Sequence, residues 1–372
     1  MSDEQLIPVD CKKRQMEFIN LPWKIYADDS TWVPPLKIAV KELLSPKHPF
    51  WEEAYQKSWL LERDGEMVGR IMAVVNHVHN RTYDEKCGFF GFFEAADQLA
   101  ALELLSCAES FLLAEGMESM RGPCNPSTNY EIGTLVKGHS DPPQIMMTYN
   151  PARYGEWIES FGTGKIMDLL AYHLPLNVPM SPLIVRIAQR AERSNSVSYR
   201  CAVKSNWDSE VDKMMEIYNS AWEKNWGFIP VSAKEFRHIA NDLKSVVDPE
   251  LVIFAMMDGQ ELGFIVTLPD YHQVFAKIPN GKLLPFGIFK LLRAKKYINR
   301  VRVITMGIKQ EYRATGLAPL LYQRAHQAVV KKGYKEVEMS WILEENLAMI
   351  KPLEMMGATP YKRYRLYEKR IG

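Results

Sequence analysis

The chain carries almost no net charge. Lys and Arg number 46 against 45 Asp and Glu, leaving +1 at pH 7. Such a balance offers no bulk field to draw nucleic acid or an acidic partner. Long apolar runs are absent too, and nothing approaches the ~20 residues that cross a bilayer. The N-terminus opens on Asp3 and Glu4 with no apolar core segment, unlike a secretory signal. Cysteine is sparse: Cys11, Cys87, Cys107, Cys124 and Cys201 are scattered, odd in number and without Cys-x-x-Cys spacing. They read as reduced thiols of a cytoplasmic protein, neither a disulfide frame nor a zinc site. His77 and His79 would point the same way from a strand, but no further ligands accompany them, so no metal is expected.

What is present suits two soluble domains. The length is 372 residues, more than one compact core holds, and 47% of them are hydrophobic. The first half reads as mixed short helices to about Pro49. A hairpin follows over 58–75, turning at Asp64-Gly65. A strand spans 88–93, a helix 95–115 stops at Gly116, and a strand covers 117–121. A long polar loop from Gly122 to Pro151 leads to a short helix at 154–161 and a strand at 166–174. After a break at 175–182, the second half repeats this order. Its hairpin turns at Asp258-Gly259, its long helix stops at Gly333, and strand, helix and strand follow. The two hairpin turns are offset by 258 − 64 = 194 residues, and the glycines Gly162 and Gly357 by 357 − 162 = 195. Agreement of order, turn chemistry and offset predicts a tandem repeat. The division expected is 1–178 for the first domain, 179–196 for a linker helix ending in polar Ser194-Asn195-Ser196, and 197–372 for the second.

Thr305 to Tyr322 is the most informative stretch. It reads as a buried strand, a turn, and the start of a long helix. The turn holds Arg313-Ala314-Thr315-Gly316-Leu317-Ala318. Gly316 lacks a Cβ and Ala318 carries only a methyl, so backbone can approach a ligand closely. The following helix begins with unpaired N–H groups at its positive end, which suits phosphate or pyrophosphate.

This turn resembles the acyl-CoA signature of the GNAT (GCN5-related N-acetyltransferase) superfamily, and residues 197–370 resemble one GNAT domain in element order. The first half matches in outline. The resemblance implies an α/β (α+β) protein of two tandem GNAT-like domains, each with a mixed, mostly antiparallel sheet flanked by helices. It implies an N-acyltransferase using acetyl-CoA or a longer acyl-CoA as co-substrate and a small-molecule amine as acceptor. Backbone of Met306, Gly307 and Ile308 would hold the pantetheine arm, with Gly307 easing a bulge. Amides from Arg313 to Ala318 would cradle the pyrophosphate, and Asn346 would contact the cofactor arm, a place where it also serves as a helix cap.

The sequence departs from the family at the chemistry. Many members carry a tyrosine four residues before the helix-ending glycine, where this chain has Leu353, and the strand before the turn has no carboxylate. Ser340, Glu344 and Tyr364 are the substitute catalytic candidates, with Glu338 beside Ser340 on one strand face. The first half reads Phe93-Glu94-Ala95-Ala96-Asp97 at its equivalent turn, two acids and no glycine, and is expected to bind no CoA. Its long loop offers Asn129, Tyr130 and Glu131 to line an acceptor pocket. Residues 282–300 mix large apolar and basic side chains. They read either as an amphipathic helix packed on a domain seam, or as a lid over a long acyl chain or a membrane-surface face. Leu353 and the absent base also admit a rival function, a catalytically inactive CoA- or ligand-sensing protein. A further rival, the aminoacyl-tRNA-dependent peptidoglycan transferases, would bring a helical arm, and no long coiled-coil pattern is present.

Overall fold

The structure is a computed structural model that describes residues 4–193, 197–223 and 225–372. The expected linker end, Ser194-Asn195-Ser196, lies outside the described residues. The first half runs β1 (Glu4–Pro8), α1 (Lys12–Asn20), α2 (Pro22–Ile25), α3 (Lys37–Leu43), β2 (Ala54–Arg63), β3 (Glu66–Asn76), α4 (His77–Tyr83), β4 (Cys87–Ala95) and α5 (Gln98–Ala114). It continues with β5 (Ser119–Gly122), the short β6 (Cys124–Asn125), β7 (Glu131–Ile132) and β8 (Thr134–Lys137), then α6 (Tyr154–Ser160) and β9 (Gly164–Pro175). The second half runs α7 (Pro182–Arg193), β10 (Val197–Cys201), α8 (Trp207–Trp222), α9 (Ala233–Leu243), β11 (Val252–Met257), β12 (Gln260–Pro269), α10 (His272–Phe275) and α11 (Gly287–Leu292). It ends with β13 (Arg300–Ile308), α12 (Leu317–Lys331), β14 (Glu336–Leu343), α13 (Leu347–Met355) and β15 (Thr359–Arg370).

Two compact units emerge. Unit 1 holds Met1–Asp168, Phe275–Lys290 and Lys362–Gly372, and unit 2 holds Leu169–Val274 and Leu291–Tyr361. Each carries a mixed, mostly antiparallel sheet flanked by helices. The strand order is β1-β2-β3-β4-β5-β15 in unit 1 and β10-β11-β12-β13-β14-β9 in unit 2. Among the described residues, the strands that flank the long helix pair in parallel in each sheet, β4 with β5 and β13 with β14. A strand–helix–strand crossover forces parallel pairing, whereas a tight hairpin forces antiparallel pairing. The hairpins turn as the Asp-Gly pairs demand. Asp64 and Gly65 sit at φ 52° and 82°, Asp258 and Gly259 at 50° and 79°. Positive φ at both central residues matches the right-handed twist of the flanking strands.

The long strands are shared out unexpectedly. β9 belongs to unit 1 up to Asp168, and from Leu169 it pairs with β14 of unit 2. β15 belongs to unit 2 up to Tyr361, and beyond that it pairs with β5 and β8 of unit 1. Each sheet is thus completed by the last strand of the other half of the sequence. One face of the unit 1 sheet packs on α5 and α6 through Leu104, Leu105, Ala108, Leu112, Tyr154 and Ile158. In unit 2, Val301, Val337, Met339 and Leu174 pack on α12 and α13 through Tyr322, Val329, Ile350 and Leu353.

Three sequence expectations change. His77 and His79 open a helix, α4, because the Asn76 side chain caps it by accepting from the His79 amide. Two residues apart on a helix do not share a face. Residues 282–300 are not one helix. They fold as α11 and a single 3₁₀ turn at Ala294–Lys296, since Pro285 offers no N–H and Gly287 is pressed against the Lys282 carbonyl. The loop after Gly122 is partly ordered into β6, β7 and β8.

Asp168 anchors the β15 strand within unit 1. Its carboxylate, with no exposed surface, accepts from Arg363 at 3.0 Å and from Arg365 at 2.8 and 3.1 Å. Burial pushes the carboxyl up, but Arg365 and Lys165 outweigh it and hold it below its ordinary value. A depressed carboxyl stabilises the fold above the unfolded value of ~3.9 and loses that contribution as pH falls through the folded value. Asp168→Asn should cost about 2–3 kcal/mol at neutral pH, less than a wholly buried pair because both arginines reach solvent. Urea denaturation should show the gap between wild type and variant closing below about pH 4. An unchanged gap across that range would remove the ion pair from the account.

Candidate active site

The site is built on the parting of two strands. β13 and β14 pair in parallel from Arg300↔Glu336 to Val303↔Met339 and no further. β13 then continues beside β12 as far as Ile308, while Ile342 and Leu343 of β14 lie beside β9. Thr305 to Ile308 border the opening on one side and Ser340 and Trp341 on the other, where the Ser340 carbonyl accepts from Arg302 at 3.3 Å. The β13 bulge lies at Ile304, since Val266 pairs with Thr305 and Thr267 with Val303. This corrects the expectation that Gly307 supplies it. Gly307 has a different duty: a Cβ there would come within 2.3 Å of the Trp222 ring, so its absence lets α8 lie against β13.

In the turn from β13 into α12 the amides of Arg313 and Thr315 donate to the carbonyls of Gln310 and Tyr312, at 3.4 and 3.2 Å. Gly316 caps α12 at φ 88°, and no side chain caps the helix. Pro319 in the first turn removes one donor that would otherwise need a partner. The amides of Leu317 and Ala318 remain at the positive end, a geometry that suits a phosphate group. Two signature residues are engaged by the protein itself. Arg313 donates to the Ala221 carbonyl at 2.5 Å, and Thr315 Oγ1 donates to the Tyr312 carbonyl at 2.5 Å. The space left by the missing Cβ of Gly316 is taken up by the Ala191 methyl of α7, 2.8 Å from where that Cβ would stand. Asn346 caps α13, accepting from the Met349 amide at 3.2 Å.

Unit 1 closes the same turn from within. Asp97 caps α5, accepting from the Ala100 amide at 2.9 Å, and pairs with Arg63. Glu94 is buried and accepts from the hydroxyls of Tyr26 and Tyr154, each at 2.9 Å. Burial pushes its carboxyl above the ordinary value despite nearby Arg70. A protein carboxylate thus stands at the helix end that α12 leaves open.

A buried polar cluster lies beside the wedge on the face of the unit 2 sheet away from α12 and α13. Arg302 is 2% exposed, Glu338 0% and Ser340 7%. Arg302 Nε donates to Ser340 Oγ at 2.9 Å, and Ser340 Oγ donates to Glu338 Oε1 at 2.7 Å. The Tyr361 hydroxyl donates a short bond to Glu338 Oε2. The Arg302 guanidinium lies 5.2 Å from the Trp341 ring centre. His173 of β9 is the register partner of Glu338, and its Nε2 lies 3.1 Å from Glu336 Oε2.

Of the sequence candidates, Ser340 therefore falls in the cluster with Glu338. Glu344 lies in the turn just beyond β14. Tyr364 does not join them: it belongs to unit 1, is wholly buried, and lies against Gly133. Strand alternation puts it on the opposite face from Tyr361, which is the tyrosine that meets Glu338. Asn129, Tyr130 and Glu131 also belong to unit 1. The Tyr130 ring packs 5.7 Å from Phe50 and 6.0 Å from His48, and Glu131 pairs with Asn125. Leu353 is fully buried in the core under α13. Sequence reading missed Tyr361 and His173. Their signal was the period-two alternation of strands neighbouring Glu338, legible only once those neighbours are known.

No protein-family model matches the chain. The chain is 35% identical to protein YghO of Escherichia coli (strain K12) over 362 residues, covering 95% of this chain and 92% of that one. It is 36% identical to a bacterial ceramide synthase of Caulobacter vibrioides over 379 residues, covering 100% of this chain and 98% of that one. Among solved structures, a tandem GNAT protein from the clavulanic acid biosynthesis pathway superposes with a TM-score of 0.60 at 11% identity, covering 100% of this chain and 99% of that one. A glucosamine N-acetyltransferase region of a fungal multi-domain protein gives 0.59 at 13% identity, covering 99% of this chain and 38% of that one.

Gly316→Ala should destabilise the protein by about 1–3 kcal/mol, because alanine resists positive φ and the new methyl meets Ala191. The double variant Gly316→Ala/Ala191→Gly should recover part of that loss by relieving the contact but not the strain. Chemical denaturation of both variants reads this, and equal stability of the two would refute the contact.

Proposed function

We propose a function from one premise: the chain belongs to the family of Escherichia coli YghO and the Caulobacter vibrioides ceramide synthase, and its fold is that of the tandem GNAT proteins. The reading is an acyl-CoA-dependent N-acyltransferase, with its donor site in unit 2. The observation that carries it is the contrast between the two long helices. Asp97 caps α5, whereas the N-terminus of α12 has no side-chain cap and stands beside the β13–β14 wedge. Backbone of Met306, Gly307 and Ile308 would hold the pantetheine arm, and amides from Arg313 to Ala318 the pyrophosphate. Asn346 sits at the start of α13, where it would meet the arm. Unit 1, with its own carboxylate at the corresponding place, would bind no CoA.

The acceptor is an amine. The relative named for ceramide synthesis supports a long fatty acyl donor and an amine-bearing lipid base, because a ceramide is the amide of those two. The amine nitrogen attacks the thioester carbonyl carbon, the new C–N bond forms, and the C–S bond breaks with its electron pair leaving on the CoA sulfur, which departs as thiolate and takes up a proton. Ser340 Oγ accepts from Arg302 and donates to Glu338, so a proton taken up at Oγ has a direct path to the carboxylate. In this reading Ser340 is the catalytic residue, passing the amine proton to Glu338. Arg302 and Tyr361 position the pair, and alignment of amine and thioester supplies much of the rate. The second reading, a CoA-binding protein without turnover, is favoured by Leu353 lying in the core.

Calorimetric titration with acetyl-CoA and palmitoyl-CoA, followed by thiol release across a panel of amines including long-chain bases, separates the readings. Turnover with a long-chain donor and base is expected; tight binding with no turnover on any amine would favour the sensor. No binding of any acyl-CoA would end both.

Ser340→Ala and Glu338→Gln should lower kcat by about 10²–10⁴ while leaving the KM for acyl-CoA within a few-fold. Turnover kept by Glu338→Gln would place the base elsewhere, with His173 the next residue to test.

A further inference from the structure

The region between β12 and β13 concentrates two properties that the rest of the surface lacks. Leu284 (74%), Phe286 (76%), Phe289 (57%) and Leu292 (76%) are exposed within nine residues, and three of these are the most exposed large apolar side chains described. Phe289 and Leu292 are three apart and share one side of α11, and Phe286 immediately precedes the helix. The same region is wholly basic. Lys277, Lys282, Lys290, Arg293, Lys295 and Lys296 occur without one Asp or Glu between Asp270 and Glu311. With +1 for the whole chain, everything outside these six carries 1 − 6 = −5.

The exposure is held in place by the fold. The Pro279 carbonyl accepts from Trp23 Nε1 at 2.7 Å, and the Gly281 carbonyl accepts from the Lys37 amide at 3.0 Å. Ile278, Gly287 and Ala294 are buried and act as inner footings. The segment is therefore pinned by its small and backbone groups while its largest apolar groups point to solvent. A monomeric surface rarely spends four such side chains in one short stretch without an occupant.

We propose that residues 282–296 dock the protein on an anionic lipid surface, with Leu284, Phe286, Phe289 and Leu292 entering the headgroup–acyl boundary and the flanking lysines and arginine holding lipid phosphates. Apolar tips with a basic surround are the combination such an interface rewards. A second copy of the chain is the poorer occupant. A two-fold contact would lay this patch on itself and bring its cations together with no acid to offset them. The inference stands independently of the acyl-transfer reading, because it concerns partition and not turnover.

Flotation of the full chain with vesicles tests it, comparing phosphatidylcholine alone with phosphatidylcholine mixed with phosphatidylglycerol. The wild type should float with the mixed vesicles, not with pure phosphatidylcholine, and should be released by salt. Phe286→Asp/Phe289→Asp and, separately, Lys295→Glu/Lys296→Glu should each cut binding about tenfold or more with the melting temperature unchanged. If the first variant fails to fold, the second decides. Failure of the wild type to float with mixed vesicles overturns the proposal, as does full binding by a folded variant. Dimerisation abolished by the aspartates, without vesicle binding, overturns it in favour of a second copy.

Discussion

Two parallel strands that share hydrogen bonds for only four residue pairs create the opening on which the rest of unit 2 depends. Beyond Val303 and Met339, β13 stays with β12 and β14 goes with β9. Beyond that point the two strands share no ladder, and a side chain, Arg302, donates to the Ser340 carbonyl instead. The same divergence puts the start of α12 at the edge of the wedge and leaves Ser340 beside it.

The buried network next to the wedge has its own logic. Arg302 and Glu338 are neighbours across the strands, so the charge of each is compensated within the sheet. Ser340 donates to one oxygen of the carboxylate and Tyr361 to the other. A partly satisfied network this deep would be costly, whereas a closed one fixes every member in place. The duplicated unit resolved a similar problem differently. There Glu94 is sealed under two tyrosines, and Asp97 plugs the helix end. The two turns differ in their caps: the Asp97 side chain caps α5, whereas Gly316 caps α12 without a side chain.

Local features were legible in the sequence because local rules decide them. Asp-Gly before an alternating strand specifies a hairpin, and Gly116 and Gly333 end long helices at positive φ. The duplication showed through the spacing of those signals. The strand–turn–helix of 300–331 and the uncapped glycine turn were visible for the same reason. What escaped was set by partners distant in sequence. Tyr364 and Tyr361 are three apart on one strand, and opposite parity sends them to opposite faces. The strand also passes from one unit to the other between them, which no periodicity records. The bulge at Ile304 depends on the register with β12, and the use of Gly307 depends on where Trp222 lies. Residues 282–300 looked like one amphipathic helix because their composition is amphipathic, but Pro285 and Gly287 divide them.

The crossing of β9 and β15 makes assembly a matter of order in time. Gly122 meets Tyr367, a sequence separation of 245 residues, and Glu336 meets Pro175 across 161. A chain emerging from the ribosome can form the hairpin of unit 1 and wrap α5 on it, but β5 has no outer neighbour until the second half has been made. Closing so long a loop is slow, and the waiting edge of β5 is open to wrong partners meanwhile. Splitting the chain at its midpoint would not give two smaller proteins. Each fragment would carry its neighbour's closing strand and lack its own.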